Sequence, residues 1–441
     1  MSSTKFEKFS SKVTSRVKSK EVHNMIQNEL TSHLEERSQF FQKKTFSKDD
    51  ADDKAIQEMG NPIIIGDNLN KLHKPKIDWI LITLFVIIAG ISFLPLIGGS
   101  PESIAPSSYF IGKQMIWYII AVLIIVGGIH FFDYRKLQSL WVAFYVIGLS
   151  LLLLVLNFGK VTMGTKRWVV LGDISVDVTL LSLFLFFLAW TTILSRVKEF
   201  SSWKKQILLF FLFWTPFFFY MMLLQFVVSI IYFFCILTMI AFSRAHIKLF
   251  IWWIVTNVAA CLLFIGTIIN TFQNNYFYFR LLAFIDRYSD PDGEGYIYFV
   301  INDALSKAGW FGNGLDNDLN QQAFSITHTD LAFSYLVFSL GWAFGIFLCF
   351  ILLVFIIRIS LNAFKTKDQF GRLLVIGGAA LFTVPTCWNI LMGLGIVPIM
   401  GVSLPFISYG GSMLLFYATI LGLTLNVYRK KDIVEFTAVK I

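Results

Sequence analysis

Three carboxylates, Asp290, Asp292 and Glu294, crowd around Gly293 and Gly295 in the stretch SDPDGEGY, residues 289–296. Two readings fit. Ser-Asp-Pro-Asp-Gly is turn chemistry, with Pro presetting φ and Gly accepting a positive one, so a surface turn accounts for it. A carboxylate held partly desolvated at a membrane surface instead has its pKa raised and can act as a general base on a hydroxyl. His328, Thr329 and Asp330 follow where an apolar run begins. An Asp at that depth is costly enough to call for a partner or a role, and pairing with a loop residue is the plainer alternative. A third cluster, GKVTMGTKRWVVLGD, puts Lys160, Lys166 and Arg167 beside Trp168. A guanidinium offers phosphate a planar fork and a lysine adds a point charge, which makes an anion site. Snorkelling cations with an indole at headgroup level explain the same residues without a ligand.

The elements that position these residues follow from composition. Of 441 residues, 56% are hydrophobic and only 15% charged, with 47 phenylalanines and 12 tryptophans. That exceeds what a soluble core hides, so most of the surface faces lipid and the protein is an integral membrane protein. Residues 1–77 are the exception: their charge is dense and mixed, and no run there reaches the roughly 18 apolar residues a span needs. No signal peptide is read there. Cys235, Cys261, Cys349 and Cys387 each lie inside an apolar stretch, as small buried hydrophobes do, and suggest neither a disulfide framework nor a CxxC metal site.

Apolar runs near 78–98, 110–132, 140–158, 176–195, 206–222, 223–242, 248–270, 329–357, 372–394 and 408–428 predict ten transmembrane helices in an all-α fold. Lysine and arginine collect in alternate connections: Arg135 and Lys136; Arg196, Lys198, Lys204 and Lys205; Arg244 and Lys248; Arg358, Lys365, Lys367 and Arg372. Both termini are therefore cytoplasmic. The segment Gly159–Asp177, the loop 271–328 and GIVPIMGVSLPFIS face outward. The net charge of +9 needs no nucleic acid, because inside-loop cations beside anionic membrane lipid account for it. Three regions result: a cytosolic helical module over 1–77, a membrane domain over 78–432 and a tail over 433–441. In the module, helical spacing marks EVHNMIQNELTSHLEERSQFF and DDADDKAIQEM, with Ser47 placed to cap the second helix and Gly60, Asn61 and Pro62 placed to end it. Interaction or regulation in the cytosol and a plain solvated spacer are both open readings. The module resembles the short prefix domain ahead of some bacterial permeases.

The stretch GIVPIMGVSLPFISYGGSMLL, Gly395 to Leu415, resembles the signature of the SEDS family (FtsW, RodA and SpoVE) of bacterial cell-shape, division and sporulation proteins, in which a P..G..LPF.SYGGS pattern precedes the last span. The resemblance extends over about 80–430: MGTKRWVVLG is similar to that family's GA.RWI.LG, DPDGEGY to DP.G.GYQ, GWFGNGL to G..GKGL and HTDLAF to HTDFIF. It implies a peptidoglycan glycosyltransferase joining lipid II units at the outer face of the bacterial cytoplasmic membrane, alongside a class B penicillin-binding protein. By motif position, Asp290 is the implied catalytic base. Lys166, Arg167, Trp168, His328, Asp330, Ser408 and Tyr409 are the implied substrate-binding residues. No cofactor is required by these residues, although a divalent cation could assist departure of the pyrophosphate.

Departures from the family pattern run in one direction. Leu180 and Leu183 stand where the family has a glutamate and a lysine (QPSE..K), Val227 where it has the aspartate of QPDLGT, and Phe338 and Ser339 where it has paired glutamates; Ile297 replaces the Gln after GY. Losing a mutually paired Glu and Lys together need not unfold anything, whereas losing one partner would cost more. A non-catalytic scaffold or regulator that keeps the fold and binds lipid II or a penicillin-binding protein is therefore a second expectation. Transport of lipid II across the bilayer is a third, disfavoured by the short inventory of intramembrane charge.

Overall fold

The computed structural model describes residues 4–431 other than 45, 74, 99–105, 163–164, 172–173, 201, 244–250, 252, 260–275, 289–292, 294 and 316–328. Contacts divide the chain into two compact units, one built on Met1–Asp78 with the chain from Tyr428 onward and one on Trp79–Val427.

The first unit holds helices α1 (Thr4–Arg16), α2 (His23–Gln42), α3 (Lys48–Met59) and α4 (Pro62–Leu72). Ser47 Oγ accepts from Asp50 N at 3.3 Å, the cap its position predicts. Gly60, at φ +86°, stops α3. Asn61 then accepts from Ile63 N at 2.9 Å with Pro62 as the first helical residue, so the sequence that closes one helix opens the next. Helices α1 and α4 are additional to the two that the spacing predicts. Phe6, Phe9 and Val13 meet Ile26, Leu30 and Leu34 in this unit's apolar centre. Arg16 bonds both oxygens of Asp67, at 3.0 and 3.2 Å, at its rim.

In the second unit, helices α5 (Trp79–Ile91) and α6 (Leu94–Gly98) together make the first crossing, followed by α7 (Ser107–His130) and α8 (Trp141–Phe158). Helices α9 (Val178–Ser195), α10 (Trp203–Met222) and α11 (Phe226–Ala241) precede the outer loop, which contains α12 (Tyr276–Ile285) and α13 (Tyr296–Lys307). Helices α14 (Ala332–Phe364), α15 (Gln369–Gly393) and α16 (Gly411–Lys430) complete the unit. Among the described residues, eight helices are long and apolar enough to span a membrane, and α11 is a shorter apolar helix. Most of the expected seventh run lies outside the described residues; 251 and 253–259 are helical.

Two features were not legible as helix. First, the outward segment folds as a three-stranded antiparallel sheet, β1 (Lys160–Thr162), β2 (Thr165–Leu171) and β3 (Ile174–Asp177), in the order β1-β2-β3. β-Branched residues such as Val169 and Val176 suit a pleated ribbon. Second, α14 is broken at Gly341, where φ is +87° and ψ 170°. The backbone groups freed there are taken up by the GWFGNGL segment. Asn313 N and Gly314 N donate to Phe338 O and Ser339 O at 3.2 and 2.9 Å. Trp342 N and Ala343 N donate in return to Gly309 O and Trp310 O at 3.0 and 3.2 Å. Two separated motifs thus form one backbone joint at the outer end of α14.

Helix packing is close where side chains are small, as it must be when lipid competes with protein for apolar contact. A Cβ on Gly128 of α7 would sit 3.5 Å from the backbone of Gly422 on α16. Beside that crossing, Asn426 Nδ2 donates to Gly128 O, Ile129 O and Phe132 O at 2.8, 3.2 and 2.8 Å, satisfying carbonyls that the end of α7 leaves open.

Candidate functional site

The sheet places Arg167 against the head of α9. Asp177 closes β3 and caps that helix: its Oδ1 accepts from Thr179 N at 3.1 Å, Thr179 Oγ1 at 2.6 Å and Leu180 N at 3.3 Å. Its Oδ2 lies 3.7 Å from Arg167 Nε, and the guanidinium carbon sits 5.0 Å from the centre of the Trp168 ring. The register sets Trp168 opposite Asp177, so a cross-strand pair gives the arginine its carboxylate, from β3, and its aromatic face, from β2. Asp177 is 5% exposed. Burial raises its pKa, and Arg167 and the capping donors oppose that rise. The arginine side chain itself is 34% exposed, so its outer edge remains open to a ligand.

Asp330, two residues before α14, feels the same charge. It keeps some accessible surface yet lies deep among protein atoms; desolvation raises its pKa, while Arg167 and then Arg280 pull it down. Arg280, on α12, donates Nη1 to Ile399 O at 3.3 Å. The backbone at this point is stitched to the segment after α15. Asn389 Nδ2 donates to Asp330 O at 2.8 Å and to Val402 O at 2.6 Å. Ser408 Oγ donates to Thr329 O and accepts from Leu404 N at 2.8 Å. Arg287 Nη2 donates to Gly395 O at 2.9 Å over the Tyr298 ring, whose hydroxyl accepts from Ile399 N at 2.9 Å. The signature segment therefore works as a rigid brace for the start of α14.

Of the residues the sequence singles out, Arg167, Trp168 and Asp330 come together, with Ser408 behind them as a buried strut. Lys166 does not join the carboxylates: its Nζ donates to Leu156 O at 3.2 Å and its backbone bonds Leu223 and Gln225, which ties the sheet to the α10–α11 turn. An alternating strand sends neighbouring side chains to opposite faces, so Lys166 and Arg167 cannot share one anion unless the strand bends. Tyr409 packs edge-on against Phe110 at 5.5 Å, at the outer end of α7; burial raises its pKa and nearby Lys113 lowers it. Asp290, Asp292, Glu294 and His328 lie outside the described residues. Among the described residues no group of three His, Cys, Asp or Glu is arranged to hold a metal ion. Asp177 and Asp330 both feel the charge of Arg167.

The apolar replacements are packed rather than open. Leu180 and Leu183 are 4% and 1% exposed in the core, and Phe338 packs with Tyr298, Ile301 and Met392. Ser339 Oγ is buried with no hydrogen-bond partner among the described residues. Four residues were missed from the sequence: Asp177, Arg280, Arg287 and Asn389. Asp177 had a signal, an acidic residue directly before an apolar run with Thr179 two places on, which is a helix-cap pattern. Arg280, a lone cation inside YFYFRLLAFI, had another.

The fold and site define a polytopic membrane protein with an arginine–carboxylate cluster braced at the outward ends of its helices. The model of the FtsW, RodA and SpoVE family, described as cell cycle proteins, matches residues 75–433, and the chain belongs to that family. It is a multi-pass protein of the bacterial cytoplasmic membrane. The probable peptidoglycan glycosyltransferase FtsW of Pseudoalteromonas translucida is 30% identical over 291 residues, covering 64% of this chain and 71% of that protein. The protein of the same name from Aliivibrio salmonicida is 28% identical over 362 residues, covering 79% and 86%. Among solved structures, a chain of a peptidoglycan synthase complex that coordinates polymerization and crosslinking superposes with a TM-score of 0.66 at 23% identity, over 80% of this chain and 98% of that one. The rod shape determining protein RodA of Thermus thermophilus gives 0.57 at 21%, over 80% and 97%.

Proposed function

We propose that the chain is a peptidoglycan glycosyltransferase that polymerises lipid II at the outer face of the membrane. The observation that carries this reading is the family match across residues 75–433, which takes in every described element of the membrane unit. The relatives named as glycosyltransferases support it, and so does the arginine cluster at the mouth of the helices.

In the proposed reaction Asp290 takes the proton of the acceptor sugar's 4-hydroxyl as that oxygen attacks the donor's anomeric carbon. The bond from that carbon to the pyrophosphate oxygen breaks with inversion, and undecaprenyl pyrophosphate leaves. The exposed edge of Arg167, with Arg280 nearby, offsets the charge that develops on the departing phosphate. Asp330 places negative charge near both arginines, and Trp168 offers the first its aromatic face. Lys166 acts by anchoring the sheet. A divalent cation would add to neutralisation of the pyrophosphate. A penicillin-binding protein partner is proposed on the strength of the synthase-complex neighbour.

The test is polymerisation of fluorescent lipid II by the purified protein, alone and with candidate penicillin-binding proteins. Glycan ladders that disappear with Asp290→Ala are expected. Absence of polymer with every partner, while lipid II still binds, would replace this reading with the scaffold that the apolar positions Leu180, Leu183 and Phe338 favour.

A further inference from the structure

On the cytoplasmic side of the membrane unit, α11, α14 and α15 enclose a groove of about 200 Å³ that the outer-face chemistry does not use. Its walls include Phe234 of α11 and Phe242 just past that helix, Phe364 of α14 and Ile376, Ala380 and Thr383 of α15. The three hydroxyls along it are spent within their own helices: Thr238 on Phe234 O at 2.7 Å, Ser360 on Ile356 O at 2.9 Å and Thr383 on Ala379 O at 2.7 Å. The groove therefore offers only hydrocarbon to whatever fills it.

Its cytoplasmic mouth is different. Gln369, Arg372, Ile376 and Thr383 follow helical spacing along one face of α15, so the stripe that lines the groove ends in two polar side chains. The Arg372 guanidinium carbon stands 5.7 Å from the ring of Phe364, itself a groove wall. Among the described residues, Arg372 Nε and both amide atoms of Gln369 are buried with no hydrogen-bond partner. A buried cation donor and a buried amide left unbonded are costly unless something supplies acceptors and donors there. Lys365 and Lys367, exposed in the connection between α14 and α15, add positive charge at the same level.

We propose that this groove holds one acyl chain of an anionic phospholipid of the cytoplasmic leaflet, with the headgroup phosphate on Arg372 and the glycerol ester region on the Gln369 amide. Hydrocarbon thickness makes lipid the available partner for the apolar part, and the arginine fork matches phosphate oxygens. The groove lies between the two helices whose outer ends carry Asp330 and Asn389, so an occupant there touches the elements that brace the outer cluster. The proposal does not depend on the glycosyltransferase reading.

The experiment is native mass spectrometry of the full chain in detergent, titrated with phosphatidylglycerol or with phosphatidylcholine of the same acyl chains. Phosphatidylglycerol is expected to be retained about tenfold better, because the choline of phosphatidylcholine neutralises its own phosphate and weakens the attraction to Arg372 and the neighbouring lysines. Arg372→Gln should erase that preference and leave equal residual binding. Thr383→Phe and Ala380→Leu, which fill the groove, should lower retention of both lipids; having two variants separates occlusion from misfolding, which gel filtration monitors. Equal retention of the two lipids by the wild type, an undiminished preference in Arg372→Gln, displacement of phosphatidylglycerol by inorganic phosphate alone, or full retention in well-folded groove-filling variants would each overturn it.

Discussion

Replacing Arg167 by glutamine removes the counter-charge of a carboxylate that is only 5% exposed. Asp177 keeps its three capping donors, so helix α9 stays capped, but its Oδ2 loses the cation at 3.7 Å. Breaking a buried ion pair from one side costs about 3–5 kcal/mol. Arg167 is 34% exposed, so water screens part of the interaction and about 1–3 kcal/mol is the expected loss. Changing Asp177 to asparagine as well preserves the cap acceptor and removes the stranded charge, so Arg167→Gln/Asp177→Asn should recover most of that loss. The pH dependence has a definite sign. Burial raises the pKa of Asp177 and Arg167 restrains the rise. Without the arginine the native carboxyl binds its proton still more readily than the unfolded one. The native state then holds more protons, and its stability falls as pH climbs from the ordinary carboxylate range through the native pKa. The deficit of Arg167→Gln should thus be larger at alkaline than at mildly acidic pH. Asp330 also faces Arg167 and shifts the same way, so the comparison belongs in both the wild-type and Asp330→Asn backgrounds. SDS-induced unfolding in mixed micelles, followed by tryptophan fluorescence, reads all of these. Equal stability of the single and double variants, or a deficit indifferent to pH, would refute the ion-pair account of this site.

Further outcomes follow from other elements. Gly341→Ala should destabilise the membrane unit by about 2–4 kcal/mol, because the new Cβ falls 2.3 Å from Trp310 O and φ is +87°; SDS unfolding measures it, and a neutral result would mean the joint with GWFGNGL is not rigid. His73 is buried with its Nδ1 unpaired, and burial lowers its pKa. Its charged form is disfavoured when folded, so the first unit should be stable above the ordinary histidine range and lose protection as pH falls through it, which hydrogen exchange in α2 detects; His73→Phe should flatten that response. Leu180→Glu alone should cost about 2.5–3.5 kcal/mol, and Leu180→Glu/Leu183→Lys distinctly less, read as yield of folded protein.

The membrane architecture was legible because lipid imposes a coarse rule: long apolar runs with basic connections on one side leave little choice of span or orientation. What was not legible came from groups whose partners are distant in sequence. Gln225 and Leu223 hold Lys166 across the α10–α11 turn, so a lysine that spacing offers as an anion ligand is a strut. Ser408 likewise has the residue type of a ligand contact, yet both its bonds go to backbone, on Leu404 and Thr329. The sheet between α8 and α9 was hidden by its size, since strands of three, seven and four residues give too few alternations to stand out beside spans of 18 or more. Arg167 and Asp330 were found because a charge at a membrane boundary is conspicuous. Their shared environment was not, because Asp177 and Arg280 reach it from other elements.

The apolar positions and Asp177 have one explanation between them. Leu180 and Leu183 pack within α9, and three residues before Leu180 the same helix carries Asp177, whose counter-ion Arg167 comes from the sheet. The ionic pairing is thereby at the mouth of the helix bundle instead of inside α9. A pair at the mouth pays less desolvation than one in hydrocarbon and remains within reach of water. On the proposed reading, the pyrophosphate of the polyprenyl donor is met at the rim by Arg167 and Arg280, while the positions filled by Leu180, Leu183 and Phe338 are packed in apolar cores. This makes Asp177 a positioning residue for the reaction. Asp177→Asn should lower the polymerisation rate by loosening Arg167 while sparing the fold. An activity unchanged by that substitution, in a protein still inactivated by Asp290→Ala, would show that the arginine needs no such support.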